Sequence, residues 1–287
     1  MNIFEEAELR GQPDFRPKLA VGYPWMSPFM FTACVESLLN LEHPARFQVR
    51  YMKGHGWSPS RRHIHICEQA LEWGADYILI LGSDQVYEED LLVRLTTRLL
   101  EGYEVIAALV PSRGHVPWQP MAPFQPMAWR WKTPEEMGTS LARAQGRRFR
   151  SMTLDGDMVH VIRRDDGDVQ PIDFIGSGVL CFHRDHLLAL KRPWFYETID
   201  VPSQIRIANM DTRFVARLRQ EAHARIWVDT TIQVRHLHVF QIDDSYQERF
   251  ADWALGEGKP DPQIVDQTRP ERLDTYVSTG AVHGTYP

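Results

Sequence analysis

The sequence predicts an α/β fold built on a doubly wound, mostly parallel sheet that is flanked by helices. The first 110 residues alternate between short apolar runs of strand length and longer segments with helical periodicity. The run 77–81 is almost entirely apolar, which is typical of a parallel strand covered on both faces. In such sheets, ligands bind beyond the carboxyl ends of the strands, so a site is expected at that edge.

Four strands and three helices are predicted in this first part. Ser27 and Pro28 favour a helix start, since serine caps a helix and proline suits its first position. A second helix is expected to open at Ser60 and to stop at Gly74, and a third to end at Gly102. The strands are predicted at 18–22, 47–52, 77–81 and 104–110, and the third helix at 88–101.

The alternation breaks after residue 110. Prolines and tryptophans cluster between 113 and 131, and such a segment forms neither a regular helix nor a central strand, so we interpret it as a long functional loop. The elements predicted after it are a helix at 134–150, a strand and turn at 158–169, a strand at 179–182, a helix from Asp185, a helix at 211–222, strands at 225–228 and 231–235, and a helix at 245–255.

The domain organisation follows from these elements. We expect an N-terminal segment over 1–17, a single domain over 18–255 and a polar C-terminal tail over 256–287. Within the domain, residues 18–110 form a first half and residues 111–255 a second half.

Composition narrows the class of protein. The 287 residues carry a net charge of −6, which disfavours nucleic acid as a partner, with a modified base as the exception. Cys34, Cys67 and Cys181 form no CxxC pair and lie among apolar residues, which predicts buried free thiols and a cytoplasmic location. No apolar run approaches the roughly 20 residues that a membrane span needs.

Three acidic or basic residues are candidates for chemistry. Asp84 follows the strand at 77–81, where a carboxylate suits Mg²⁺ or Mn²⁺; alternatively it caps the following turn. His236 ends a strand, where imidazole accepts Mn²⁺, or it is an ordinary polar strand end. Asp211 begins a helix, as a general base or as an acid stabilised by the helix dipole.

Glycines surround a serine at Gly176-Ser177-Gly178. Two glycines so close together indicate a backbone that approaches a ligand or bends sharply, and a plain turn explains them equally well.

The order of these segments resembles the glycosyltransferases of the GT-A fold, in particular family 2 of bacterial and phage type. Residues 78–84 followed by 87–92 resemble the family's Asp-x-Asp strand and the next helix, and 174–182 its acceptor-side segment. Met210-Asp211-Thr212-Arg213-Phe214 resembles the Glu-Asp-x-x-Phe motif, and 225–229 with 234–236 resembles the ending that carries the metal-binding histidine. The resemblance covers roughly residues 18–240, and it implies that 18–110 form the nucleotide-binding half of the domain and 111–255 the acceptor-side half.

The resemblance implies a GT-A fold with a Trp/Pro-rich insertion on the acceptor side. It implies a metal-dependent glycosyltransferase, of inverting stereochemistry in view of the matched base, that moves a sugar from a nucleotide-diphosphate donor to an acceptor hydroxyl. Mn²⁺ or Mg²⁺ would be held by Asp84 and His236, and Asp211 would be the catalytic base. The implied nucleotide-binding residues are Pro24, Arg61, Arg62, Ser83 and Asp84, and the implied acceptor-binding residues are Trp129, Gly176, Ser177 and Gly178.

Three departures from the family leave alternatives open, one of them His238 at a position where a small residue is commoner. Gly82 replaces the first acid of Asp-x-Asp, and Met210 replaces the glutamate before the base. A catalytically silent GT-A domain that binds a nucleotide sugar or a glycan is one alternative. A nucleotidyltransferase is disfavoured, because no glycine-rich basic loop follows the first strand. The helix at 245–255 and the tail are candidates for a homodimer contact.

Overall fold

Strands of mostly one direction form the central sheet, and helices cover both of its faces. The computed structural model describes residues 15–25, 30–111, 128–137, 159–200 and 205–237. The strands are β1 (Lys18–Pro24), β2 (Gln48–Gly54), β3 (Tyr77–Leu81), β4 (Gln85–Tyr87), β5 (Val105–Ala108), β6 (Ala128–Trp131), β7 (Val159–Val161), β8 (Val169–Ile172), β9 (Phe174–Ile175), β10 (Val179–His183), β11 (Thr198–Asp200), β12 (Ile205–Ala208), β13 (Ile226–Asp229) and β14 (Val234–His236). The helices are α1 (Thr32–Leu39), α2 (Pro59–Trp73), α3 (Leu91–Leu100), α4 (Pro134–Met137), α5 (Arg184–Leu188) and α6 (Met210–Gln220).

The central sheet has seven strands in the order β2-β1-β3-β10-β5-β13-β8. Strands β2, β1, β3, β5 and β13 share one direction, whereas β10 and β8 run against it. The predicted mixed α/β architecture with a mostly parallel sheet is therefore confirmed. The position of β10 between β3 and β5 was not predicted.

Alternate residues of each central strand face opposite apolar layers. In β3, Ile78 and Ile80 join the layer under α2 and α6, while Leu79 and Leu81 join the layer under α1 and α3. Both faces of the sheet are thus buried, which explains the continuous apolar run that the sequence carries there.

Helix α2 carries Arg61 and Arg62, two of the predicted nucleotide-binding residues, and its ends show why it forms. Ser58 caps it by accepting a hydrogen bond from the backbone N–H of Arg61, and Pro59 occupies the first helical position. Gly74 ends it with φ of 73°, a left-handed conformation that favours glycine. The predicted opening at Ser60 was two residues late, since the serine that caps is Ser58.

Several predicted boundaries were wrong. The backbone at Phe31 is extended and α1 begins at Thr32, so this helix does not start at Ser27-Pro28. A Ser-Pro pair is also common in turns, and its local signal does not fix a helix. Residues 128–131, which were predicted as part of the loop, form β6. This is the central strand of a small sheet with the order β7-β6-β9. Strands β4, β11 and β12 were not predicted.

Some predictions fall outside the described residues. These are the N-terminal residues 1–14, most of the Trp/Pro-rich segment, residues 138–150 of the predicted helix at 134–150, the helix at 245–255 and the tail. The chain divides into two units, one of residues 1–114 and 121–238 and one of 115–120 and 239–287, and every described residue belongs to the first.

The predicted state of the cysteines is confirmed. Cys34, Cys67 and Cys181 are all buried free thiols. Burial raises the pKa of each of these thiols, so they remain protonated at neutral pH. In the described part of the chain, no helix combines the length and the apolar character that crossing a membrane requires.

We predict that Phe214→Ala destabilises the fold strongly. Its ring stacks on that of Phe195 at 4.0 Å between centroids, and both side chains are fully buried. The unfolding free energy should fall by about 3–5 kcal/mol, measured by urea denaturation. Leu188→Ala, at a side chain that is 57% exposed, is the control and should change it by less than about 0.5 kcal/mol. A similar loss in both variants would contradict the prediction.

Candidate functional site

A backbone hydrogen bond joins the end of β3 to the glycine–serine turn before β10. The N–H of Gly82 donates to the carbonyl of Gly178 at 2.7 Å, directly beyond the paired residues Leu81 and Val179. This point lies at the carboxyl edge of the parallel strands, where the sequence predicted a site. Asp84 follows Gly82 by two residues, and Ser177 precedes Gly178.

The side chain of Gln85 fills the space beside both glycines. A Cβ atom added to Gly82 would lie 2.7 Å from Gln85 Cδ, and one added to Gly178 would lie 2.3 Å from Gln85 Nε2. Gln85 is buried, and its Oε1 lies 3.2 Å from the hydroxyl of Tyr87, which donates to the Gly82 carbonyl at 2.7 Å. The position beside Gly82 that an acidic side chain would need is therefore occupied by an amide.

Strand pairing brings His236 to Asp84. Strand β14 pairs with β4 in the register His236 opposite Gln85, and the N–H of Leu237 donates to the Asp84 carbonyl at 2.7 Å. As a result, Nε2 of His236 lies 3.3 Å from Oδ1 of Asp84, and both side chains are largely buried. The structure therefore brings together the two residues that the sequence predicted as metal ligands.

The hydrogen bonds of His236 define its ring chemistry. Its Nδ1 lies 2.8 Å from the carbonyl oxygen of Pro111, and because a carbonyl only accepts, Nδ1 carries the hydrogen. Its Nε2 is buried and has no hydrogen-bond partner among the residues that the structure describes. The Nε2 atom either carries a second proton or directs a lone pair toward the Asp84 carboxylate.

This arrangement fits a divalent cation. An orphaned imidazole nitrogen beside a carboxylate, with the other ring nitrogen fixed by a carbonyl, is the donor set and the outer contact that metal-binding histidines use. Across the described ranges, no group of three or more His, Cys, Asp or Glu side chains is arranged to hold a metal. Two protein ligands suffice for Mg²⁺ or Mn²⁺ when a substrate diphosphate supplies others.

Asp229 holds the connection that leads to His236. Its side chain is buried, and its carboxylate accepts hydrogen bonds from the N–H and the hydroxyl of Thr231. The same carboxylate forms an ion pair with Arg98. Burial raises the pKa of Asp229, but the hydrogen bonds from Thr231 and Arg98 outweigh it and hold the pKa below its ordinary value. From the sequence, this residue was part of a motif and no role was predicted for it.

Asp211, Ser177 and His63 form a second cluster of contacts. Asp211 is in the first turn of α6, which Asn209 caps by accepting from the N–H of Thr212. The hydroxyl of Ser177 donates to Asp211 Oδ1 at 2.6 Å. Ser177 Oγ also lies 3.2 Å from Nε2 of His63, a buried residue that the sequence analysis missed. The periodicity of α2 places His63 on the buried face with Ile66, which was the available signal.

The predicted nucleotide-side residues are placed less uniformly. Pro24 is buried at the end of β1, opposite Gly54, and Ser83 is buried beside Gly82. Arg61 forms an ion pair with Glu68 at 3.1 Å, and Arg62 donates to the Gly56 carbonyl at 2.9 Å. Their nucleotide-binding roles stay predictions.

The predicted acceptor side is divided. Gly176, Ser177 and Gly178 form a turn at the edge described above. Trp129 is only 8% exposed and pairs with Phe174 in β9, whereas Trp131 on the same strand is 38% exposed. Trp131 therefore offers more aromatic surface to a ligand than Trp129 does.

Comparison with known proteins supports no family assignment. No protein-family model and no curated protein sequence matches the chain. Among solved structures, the chain is similar to the crystal structure of A197 from STIV, at 14% sequence identity and a TM-score of 0.45, over 77% of this chain and 86% of that one. A likeness of this degree carries nothing about activity.

We predict that Gly82→Asp conflicts with Gln85. The new side chain would overlap the buried amide, so the unfolding free energy should fall by about 1–3 kcal/mol in urea denaturation. Adding Gln85→Ala should recover part of this loss, and Gln85→Ala alone completes the double-mutant cycle. If the two changes act additively, the overlap is not the cause.

We predict that Asp229→Asn destabilises the protein by about 1.5–3 kcal/mol at neutral pH, because the hydrogen bonds to a charged carboxylate are weakened. Since the folded-state pKa is lowered, the stabilisation is present above the unfolded value of about 3.9 and is lost as pH falls below it. Urea denaturation of wild type and variant between about pH 2 and about pH 7 covers the range in which carboxylates titrate. The two curves of unfolding free energy against pH should converge in acid. Asp185→Asn, at an exposed carboxylate, is the control. Parallel curves would refute the prediction.

Proposed function

We propose that this protein is a metal-dependent glycosyltransferase of the GT-A fold, acting on a nucleotide-diphosphate sugar and an acceptor hydroxyl. The observation that carries the proposal is the buried Nε2 of His236, which has no hydrogen bond to any described residue and lies 3.3 Å from the Asp84 carboxylate, at the carboxyl edge of a mostly parallel sheet. Family resemblance named the same two residues, and their proximity supports the proposal.

Asp84 and His236 would hold Mn²⁺ or Mg²⁺. Such a cation, when bound, neutralises the charge that develops on a leaving diphosphate. A backbone hydrogen bond fixes each residue, since the N–H of Leu237 donates to the Asp84 carbonyl and the His236 ring donates to the Pro111 carbonyl. This preorganisation limits the rearrangement that cation binding needs.

Asp211 is the proposed general base. Its carboxylate lies in the first turn of α6 and is partly exposed, so an acceptor can reach it. It would remove the proton of the acceptor hydroxyl as the oxygen attacks the anomeric carbon. Attack from the face opposite the leaving diphosphate inverts that centre.

The glycine at position 82 bears on the alternative, a silent GT-A domain. The Gln85 amide occupies the space beside Gly82, so neither residue replaces the carboxylate of the family's first acid. The retained pair of Asp84 and His236 and the placement of Asp211 favour an active enzyme, and a binding measurement separates the two.

We predict that one nucleoside diphosphate among UDP, GDP, CDP and dTDP binds in calorimetry only when Mn²⁺ is present. Asp84→Asn and His236→Gln should each abolish the metal-dependent part, whereas Asp211→Asn should bind normally. At a hundredfold excess over Kd, the ligand should stabilise the fold by about 2.7 kcal/mol. Once the donor is known, Asp211→Asn should lower kcat by about 10²–10⁴-fold.

The matched control is a second histidine–aspartate pair outside the site. His160 Nε2 lies 2.9 Å from Asp166 Oδ2, and His160→Gln and Asp166→Asn should leave nucleotide binding unchanged. Failure of all four nucleotides to bind with Mn²⁺ would contradict the transferase and favour the silent domain.

A further inference from the structure

A chain of hydrogen-bonding groups runs from Asp211 through Ser177 to His63. Ser177 Oγ lies 2.6 Å from Asp211 Oδ1 and 3.2 Å from His63 Nε2, and His63 Nδ1 lies 2.9 Å from the carbonyl oxygen of Pro59. Ser177 and His63 are 6% and 4% exposed. The proposed function uses Asp211 and leaves the buried histidine unexplained.

The three contacts need more hydrogens than the groups supply. The Pro59 carbonyl only accepts, so His63 Nδ1 carries a hydrogen, and an ionised Asp211 only accepts, so the Ser177 hydroxyl points toward it. A neutral His63 then presents its Nε2 lone pair to an oxygen that has no hydrogen left for it. One additional proton completes all three contacts.

Burial keeps that proton away from His63 in the free protein. Burial lowers the pKa of His63, the Asp211 carboxylate and the hydrogen bond to Pro59 raise it, and Arg62 lowers it, with the net effect that the pKa lies below its ordinary value. Phe195, whose ring packs 5.1 Å from that of His63, adds no charge. The chain is therefore one proton short at neutral pH.

The connectivity differs from that of a hydrolytic Ser-His-Asp triad. In a triad, the carboxylate binds Nδ1 of the histidine, and Nε2 accepts from the serine. Here the carboxylate binds the serine, and Nδ1 is bound by the Pro59 carbonyl. Ser177 thus links an acid to an imidazole and is not set up as a nucleophile.

We propose that Ser177 and His63 are positioning residues that stabilise Asp211 in its protonated form, and so hold the proton that Asp211 removes from the acceptor. This inference rests on the proposed function, in which Asp211 is the base. The acceptor oxygen keeps its electron pair and gives its proton to Asp211. The direction of the chain then reverses: Asp211 donates to Ser177, and Ser177 donates to Nε2 of His63.

The experiment is NMR spectroscopy of the full chain labelled with ¹⁵N-histidine, without nucleotide or metal. His63 signals are assigned by their loss in His63→Gln. We expect a neutral ring with its hydrogen on Nδ1 and a bare Nε2. In Ser177→Ala the proton affinity of His63 should fall by about tenfold or more, since the imidazolium loses a hydrogen bond. It should fall in Asp211→Asn as well, because the attracting charge is gone.

The matched control is Ser37→Ala. Ser37 is also buried, and its hydroxyl donates to the Cys34 carbonyl at 2.9 Å, far from this chain in sequence. This variant should leave the His63 titration unchanged. A serine with a merely structural role at position 177 would also leave it unchanged, and that result would overturn the proposal.

The tautomer of the wild-type protein decides the matter even if Ser177→Ala does not fold. A hydrogen on Nε2 would mean that His63 already donates to Ser177, and it would overturn the proposal; a bare Nε2 supports it. Because these spectra need no donor or acceptor, a failure of nucleotide binding leaves their result intact. The two proposals therefore fail separately.

Discussion

The hydrogen bond from Gly82 to Gly178 is the contact on which the candidate site depends. It closes the edge of the sheet just beyond the last residue pair of β3 and β10, where both backbones turn away. Neither residue has a side chain, and the Gln85 amide packs into the space that this leaves. Asp84 follows this contact on the segment after β3, and Ser177 precedes it on the segment before β10. The placement of both clusters therefore depends on one backbone contact.

The two clusters have a common electrostatic character. At His236 an imidazole nitrogen fixed by a carbonyl faces the Asp84 carboxylate, and at His63 an imidazole nitrogen fixed by a carbonyl faces the serine that binds the Asp211 carboxylate. In each cluster, the hydrogen bond to a backbone oxygen places the hydrogen on Nδ1, and Nε2 is left to bind a positively charged species. In the two proposals made above, that species is a metal ion at the first cluster and a proton at the second.

The sequence predicted those parts of the fold whose signals are local. The all-apolar run of β3, the glycine at the end of α2 and the periodic leucines of α3 each determine their element, and the structure agrees. Strand β4 was missed because three residues carry too little periodicity, and the order of the strands was missed because β10 reaches its place through contacts remote in sequence.

The candidate site shows the same division. Asp84, His236, Asp211 and Ser177 were identified from motif order. His63 and Gln85 were not, because nothing near them in sequence says that α2 meets the glycine–serine turn or that an amide fills the space at Gly82. Such residues are defined by what packs against them, and this information is distributed over the whole chain.

The place of β10 also has a consequence for biosynthesis. Strands β3 and β5 come early in the chain, yet each keeps an open edge until β10 is available to pair with both. A nascent chain that stops short of β10 exposes two apolar strand edges, the kind of surface that recruits other chains. Closure of the sheet therefore waits until the second half of the polypeptide has left the ribosome.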